Sequence, residues 1–455
     1  MKEIEIGQFR YNLSKFDMRD ILWMSAYFYK IRNFSKSMVK NEVVKGCSDS
    51  TSDIQIRLNK IQDTIRKNFE LFGFRPFDTP IIEYFSTLAG KYDEDSEIVG
   101  EIYKVSDRGE RKLGLRYDLT VPMCRYVASQ TQLKLPFKRY AIAKSFRDGP
   151  IKVGRSREFI QCDADVVGIA GTDIEAETLS MFYSTYTELG IDAVLEINNN
   201  KILRGAFLQF GFDEKELESV ILSVDKLKKI GRDAVLDEIA GKGLSSSEAS
   251  KAIDILSCKS YDGISKLAEN ELLKEGIEEL NKLVKSLDLF EVNYRINYSM
   301  SRGLNIYTGS IWEMYDKSGK VKSSIGSGGR YDKVIGEFAD NGKEYPTVGV
   351  SFGLVPIAIC LENKNEKSEI SLTEIVVAPL DAELIVDAQL VAMSLRKQGL
   401  KTEVCYDYKL KKAFSYSEFV TAKKLVILGK KDVEAGVYTL RDLETKEEEK
   451  VSFSF

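Results

Sequence analysis

Apolar residues at Ile54, Leu58, Ile61, Ile65, Phe69 and Phe72 recur at steps of three and four, which predicts an amphipathic helix. Gly73 closes it, a residue that tolerates the left-handed turn of a helix end. An extended Thr79-Pro80-Ile81-Ile82 follows, then strand-like runs at Leu113 to Arg116, Phe137 to Ala143 and Ala164 to Val167. Residues 170–190 read as helix and Val194 to Ile197 as strand. From 200 to 287 the texture changes to a Lys/Glu/Leu-rich, helix-periodic stretch short of aromatics, predicting a helical insertion between two parts of one sheet domain. Sheet-like segments resume at Tyr294 to Tyr298, Tyr307 to Tyr315 and Ser324 to Ser327.

The polar run Glu362 to Glu369 reads as an exposed linker. After it come a strand (Ile375 to Ala378), a helix (Glu383 to Lys397) stopped by Gly399, and strands at Thr402 to Cys405 and Leu425 to Leu428. That order predicts a small α/β domain with a parallel sheet over 370–455. The apolar run Ile21 to Tyr29 makes residues 1–44 either a helix packed on the body or an appended arm.

Composition narrows the chemistry. None of the 455 residues is histidine, which removes Ser-His-Asp and Cys-His nucleophile pairs and histidine metal sites. Six cysteines (Cys47, Cys124, Cys162, Cys258, Cys360 and Cys405) lie far apart, as expected of reduced thiols and not of a disulfide scaffold or a metal site. With no signal-peptide layout and no apolar run long enough to span a bilayer, a cytoplasmic protein away from membranes is expected. The net charge of −4 confines any nucleic-acid contact to local clusters.

One such cluster is FKRYAIAKSFRDGPIKVGRSREFIQCDADVVG, residues 137–168. Arg139, Arg147, Arg155 and Arg157 alternate with apolar residues around a turn at Asp148-Gly149-Pro150, so two strands could place several guanidiniums on one face. A planar cation with five donors suits a triphosphate. Glu158, Gln161, Asp163 and Asp165 form an acceptor strip suited to a small amine-bearing ligand. Glycines in SSIGSGGRYD (323–332) and VGVSFGL (348–354) mark close approach within strands.

Together, LRYDLTVP (115–122), GRSREFIQCDAD (154–165), RGLNIYTG (302–309) and GGRYD (328–332) resemble the histidyl-tRNA synthetases, of the class II aminoacyl-tRNA synthetases, from about residue 45 to the end. GFRPFDTPIIEY (73–84) looks like motif 1, with Pro80 at a dimer interface. The resemblance implies an α+β fold. A six-stranded antiparallel catalytic sheet with helices (45–199 and 288–362) would be interrupted by the insertion and followed by an anticodon-binding-like α/β domain, in a homodimer. It further implies that histidine and ATP, carried with Mg²⁺, form an adenylate whose histidyl group passes to tRNA-His. By motif, Asp118, Thr120, Gln161 and Asp165 would hold the α-amino group, with Tyr307 in the histidine pocket. Arg147 would clamp the α-phosphate, with Arg155 and Glu158 along the ATP site, and Arg302 would stabilise charge at the reacting phosphorus. No resident metal is implied.

Several positions depart from the family pattern. The Glu-Arg of motif 3 is Val355-Pro356. The carboxylate two places after the motif 2 arginine is Gly149, with Asp148 as a substitute beside it. The paired pocket tyrosines are Ile306-Tyr307, the preceding Asp is Asn305, and Thr-Arg-Asp is Cys47-Ser48-Asp49. Two readings follow. One is a working synthetase, with compensation from Lys322 or Arg330. The other is a non-catalytic paralogue that binds histidine or tRNA as a regulator, like the regulatory subunit of ATP phosphoribosyltransferase. That relative typically lacks the tail present here, where Lys409, Lys411 and Lys412 are candidate phosphate contacts.

Overall fold

A computed structural model of the chain describes residues 3–6, 9–12, 41–90, 97–152, 154–302, 306–362 and 372–453. The apolar run Ile21 to Tyr29, Gly303-Leu304-Asn305 and most of the expected linker lie outside the described residues. The strands of the first part are β1 (Glu3–Ile6), β2 (Phe9–Asn12), β3 (Arg75–Pro76), β4 (Ile82–Tyr84), β5 (Lys104–Ser106), β6 (Lys112–Leu115), β7 (Phe137–Phe146), β8 (Glu158–Val167) and β9 (Ala193–Asn199). The second part supplies β10 (Tyr294–Ile296), β11 (Ser310–Asp316), β12 (Gly326–Arg330) and β13 (Thr347–Gly353). The last contributes β14 (Ile375–Pro379), β15 (Thr402–Val404), β16 (Lys424–Leu428), β17 (Val437–Asp442) and β18 (Glu448–Ser452).

The helix predicted from Ile54 to Phe72 forms over Ser52–Leu71, burying Ile61, Ile65 and Phe69 on the stripe its periodicity defines. Gly73 follows it at φ +79°, a conformation that a Cβ would strain. This helix packs with helices Asp173–Glu188 and Leu354–Glu362 behind an eight-stranded sheet ordered β10-β9-β11-β12-β13-β8-β7-β3. The six strands from β9 to β7 are antiparallel to one another, the core expected. One short parallel strand is added at each edge, β10 and β3. Phe69, Phe182, Tyr186 and Phe352 interlock behind the sheet, with the Phe182 and Phe352 rings 4.6 Å apart and edge-on.

Between β9 and β10 the chain makes only helices, from Asn200–Leu208 to Glu271–Leu289. Polar caps start several of them, including an Asp213–Glu216 capping box and Asn270. In the C-terminal part β15, β14 and β16 are parallel, as predicted. β17 and β18 then extend that sheet antiparallel, so it is mixed and not purely parallel. From Arg441 to Lys450 the chain holds one apolar residue, Leu443, which hides the turn and second strand of this β-hairpin from a search for apolar runs. Among the described residues no helix is long and apolar enough to cross a membrane.

Candidate active site

β8 sets the site by simple alternation. Cys162, Ala164 and Val166 join the core behind the sheet, which turns Gln161, Asp163 and Asp165 to the other face. Register then fixes their neighbours. Arg139 of β7 stands opposite Asp165, while Gly349 and Ser351 of β13 stand opposite Asp165 and Asp163.

Arg139 and Asp165 are both buried and form an ion pair at 2.6 Å. Asp165 also accepts a hydrogen bond from the Tyr331 hydroxyl, and Arg139 donates to the Leu119 carbonyl at 3.0 Å. Such a pair costs solvation on both sides, a cost met in part by these two bonds, while Arg139 Nε stays buried and unbonded. Asp163, 3% exposed, has no arginine paired with it: Ser351 supplies a hydrogen bond to its carboxylate, and its Oδ1 is buried and unbonded. Gln161 donates to the Ser351 hydroxyl at 3.4 Å, leaving its own Oε1 buried and unbonded. Burial pushes the Asp163 carboxyl up to about 7; Arg139 opposes the rise and Asp165 adds to it. Asp165 is raised by burial against the pull of Arg139.

Two glycines make room for these groups. A Cβ on Gly349 would stand 2.9 Å from the Asp165 carboxyl carbon and closer still to Oδ1. One on Gly329 would stand 2.6 Å from the Tyr307 ring. Tyr307 lies under Arg302, whose guanidinium carbon is 5.3 Å from the ring centre. Arg302 donates to the Trp312 carbonyl at 3.3 Å and sits 3.7 Å from Glu313. Burial raises the Tyr307 phenol, with Arg302 opposing and Glu313, Asp163 and Asp165 contributing. Ile306 turns into the apolar cluster of Met123, Tyr331 and Ile335, and with Tyr307 lines a cavity of about 1150 Å³ that reaches Arg330.

Arg147 follows β7 directly. Its guanidinium lies 4.2 Å from the Tyr117 ring and 5.0 Å from Phe159, and it donates to the Tyr117 carbonyl at 3.3 Å. Asp118, one residue before the N-cap Leu119, accepts from the Thr120 and Val121 amides at 3.1 and 2.9 Å in the first turn of the helix Thr120–Ser129. Its carboxyl is raised by burial and opposed by those two amides, Arg147 and Arg139. Asp163 in turn feels Asp118. A continuous chain of interacting groups therefore runs from Arg147 through Asp118, Arg139, Asp163 and Asp165 to Tyr307 and Arg302.

The remaining expected residues are placed differently. Glu158 pairs with Lys144 at the mouth of the hairpin, and Arg155 is exposed, with a two-way backbone bridge to Lys152. Asp148 is engaged by Arg157 at 3.0 Å. Arg330, a candidate for compensation, is buried against Glu175 at 2.5 Å and Asp332 at 3.2 Å, so its charge is already neutralised; Lys322 is exposed. Pro356 falls in the first turn of the helix Leu354–Glu362, where the missing N–H costs nothing, with its ring near Gly353 and Gly154. Asp163 belongs to the acceptor strip of the sequence but is not among the residues that the family motifs assign; period-two alternation from Gln161 to Asp165 is the signal that picks it out.

Six antiparallel strands with helices behind, one arginine on the 137–168 hairpin and another at the start of RGLNIYTG, and an α/β tail together define a class II aminoacyl-tRNA synthetase fold. Comparison with known proteins narrows this. Residues 47–357 match the family model of histidyl-tRNA synthetase, and residues 374–455 match that of the anticodon binding domain. A histidine–tRNA ligase of Bacillus cereus is 38% identical over 418 residues, covering 90% of this chain and 95% of its own. A crystal structure of histidyl-tRNA synthetase from Nostoc sp. PCC 7120 superposes with a TM-score of 0.76 at 27% identity, covering 91% of this chain and 97% of its own. The chain belongs to the histidyl-tRNA synthetase family. A structure from Bacillus halodurans described as an ATP phosphoribosyltransferase regulatory subunit/histidyl-tRNA synthetase shares the fold, with a TM-score of 0.72 at 17% identity over 86% of this chain and 99% of its own.

Proposed function

We propose that the chain activates histidine with ATP and transfers it to tRNA-His in the cytoplasm, as a homodimer. The observation that carries this is the pair of buried, unbonded acceptors Gln161 Oε1 and Asp163 Oδ1 on one face of β8, with Asp163 linked through Asp118 to Arg147 and through Tyr307 to Arg302, each arginine held on an aromatic ring. A buried acceptor left without a donor costs about 1–3 kcal/mol. A ligand carrying an ammonium group and a ring N–H recovers that cost at both atoms.

In the first step the histidine carboxylate attacks the α-phosphorus of Mg²⁺-bound ATP, the bond to the β-phosphate oxygen breaks, and pyrophosphate leaves. Arg147 would hold the α-phosphate, and Arg302 would offset the negative charge that grows as the oxygens crowd phosphorus. In the second step a hydroxyl of the terminal adenosine attacks the histidyl carbonyl, AMP leaves, and the hydroxyl proton is released. Neither step requires a histidine side chain from the protein. Residues 45–199 and 288–362 would carry this chemistry, 200–287 would form the insertion, and 370–455 would meet the anticodon. Exposure of Leu71, Ile81, Ile82 and Tyr84 around motif 1 supports dimerisation there.

A second reading, a histidine- or tRNA-binding regulator without adenylation, is favoured by Val355-Pro356 in place of the motif 3 Glu-Arg. Loss of one fully used charged contact costs about 2–5 kcal/mol, or roughly 30- to 5,000-fold in rate. Histidine-dependent exchange of pyrophosphate into ATP decides between the readings, run with the chain and with Val355→Glu/Pro356→Arg. Exchange by the unmodified chain is the expected result. Exchange only after restoration, or none by either alongside histidine or tRNA binding, overturns the ligase reading in favour of the regulator.

A further inference from the structure

Gly149 stands where the family carries a carboxylate, yet the space beside it is not vacant. A Cβ on Gly149 would lie 2.7 Å from Glu101 Cδ and closer still to Oε1. The carboxylate filling that space belongs to the end of the helix Glu97–Glu101, far upstream in sequence. The neighbouring candidate, Asp148, is committed to Arg157.

Glu101 holds the loop in two ways. Its backbone carbonyl accepts from the Asp148 amide at 2.8 Å. Its Oε2 accepts from the Tyr117 hydroxyl at 3.2 Å. Tyr117 is the residue that seats Arg147, offering its ring face to the guanidinium carbon at 4.2 Å and its carbonyl to Nε at 3.3 Å. Glu101 thus fixes one end of the tyrosine on which Arg147 rests. Arg157 closes the other side of the loop, donating to the Gly149 carbonyl at 3.3 Å.

We infer that Glu101 is a positioning residue of the nucleotide site: it supplies from outside the motif 2 loop the carboxylate missing at Gly149, and it holds Arg147 in place through Tyr117. Glycine at 149 and glutamate at 101 are then one solution shared between two positions, since a side chain at 149 would collide with the carboxylate that replaces it. The inference rests on the nucleotide-binding reading above.

A charge swap tests it with the full chain. ATP and histidine affinities are measured by calorimetry for the wild type, Glu101→Ala, Glu101→Gln, Gly149→Glu and the double variant Glu101→Gly/Gly149→Glu. Glu101→Ala should weaken ATP about tenfold to a hundredfold, the range spanned by losing one hydrogen bond to a charged group. Histidine affinity should stay within about twofold. Glu101→Gln, which still accepts from Tyr117, should lose less than Glu101→Ala, and the double variant should regain what Gly149→Glu loses. Amide hydrogen exchange of residues 147–152, without ligand, should quicken in Glu101→Ala and return towards the wild-type rate in the double variant. Unchanged loop exchange in Glu101→Ala, or a double variant no better than Gly149→Glu, overturns the inference. A wild type that takes up no ATP overturns the nucleotide reading instead, and loop exchange still decides the role of Glu101.

Discussion

Replacing Asp163 by asparagine should remove the carboxyl's share of the protons released when histidine binds. The carboxyl is 3% exposed, and burial lifts it from 3.8 to about 7 despite Arg139. At pH 6 the empty site therefore keeps a proton on Asp163. A ligand that donates to Oδ1, or brings positive charge near it, favours the ionised form and expels that proton. Apparent affinity should rise by up to about tenfold per pH unit below 7 and level off above it. The histidine ring titrates near pH 6.5 and adds its own dependence, which Asp163→Asn retains, so the difference between the proteins isolates the carboxyl. For stability the sign is opposite to that of a salt-bridged acid. The folded protein binds more protons than the unfolded chain between about pH 4 and 7, so the wild type loses stability relative to Asp163→Asn as pH rises through that window. The rise from 3.8 to about 7, at about 1.4 kcal/mol per decade, sets an upper value on the order of 4 kcal/mol. Calorimetric titration with histidine at pH 6, in two buffers of unlike ionisation enthalpy, counts the protons. Equal release by wild type and Asp163→Asn would refute the assignment of Asp163 to the ligand.

Three further outcomes follow from the same geometry. Gly349→Ala places a methyl against the carboxyl of Asp165 and should cost about 1–3 kcal/mol by urea unfolding, together with histidine affinity; a loss below about 0.5 kcal/mol would mean the strand yields without disturbing the Arg139 pair. Arg330→Gln leaves Glu175 buried and unpaired, a loss of about 3–5 kcal/mol that should be greater at pH 8 than at pH 5.5, because burial already raises the Glu175 carboxyl; reduced ATP affinity with unchanged stability would return Arg330 to the nucleotide site. Replacing exposed Lys409, Lys411 and Lys412 by alanine should lower the slope of log affinity for tRNA against log salt by about 2–3, and an unchanged slope would remove them from the interface.

Much of the fold is legible in the sequence because periodicity survives burial. The Ser52–Leu71 helix, the helical stretch after Asn199 and the β-α-β start of the tail all declare themselves in runs of apolar residues. Legibility ends where a residue's meaning depends on what lies across a strand boundary. Arg139, Arg147, Arg302 and Arg330 look alike in sequence, each an arginine set among apolar or glycine-rich neighbours. Register brings Arg139 against Asp165, and the fold brings Arg330 against Glu175, which spends both charges inside the protein. Arg147 and Arg302 rest instead on aromatic rings, with Arg302 no nearer than 3.7 Å to the Glu313 carboxylate, so their charge stays available to a ligand.

The same distinction separates two gaps that are equivalent on paper. Gly149 and Val355-Pro356 each replace a polar position of the family pattern. At Gly149 a carboxylate has been returned by Glu101, from a helix that no local motif would connect to the loop. At Pro356 the position is taken by a ring in a helix's first turn, near Gly353 and Gly154, and a ring offers no charge to a phosphate. Any shortfall in adenylation should therefore arise at the far end of the triphosphate, where the family's motif 3 arginine would act, and not at the α-phosphate. Restoring Val355→Glu/Pro356→Arg should then raise pyrophosphate exchange chiefly through ATP, leaving the histidine dependence where Gln161 and Asp163 set it.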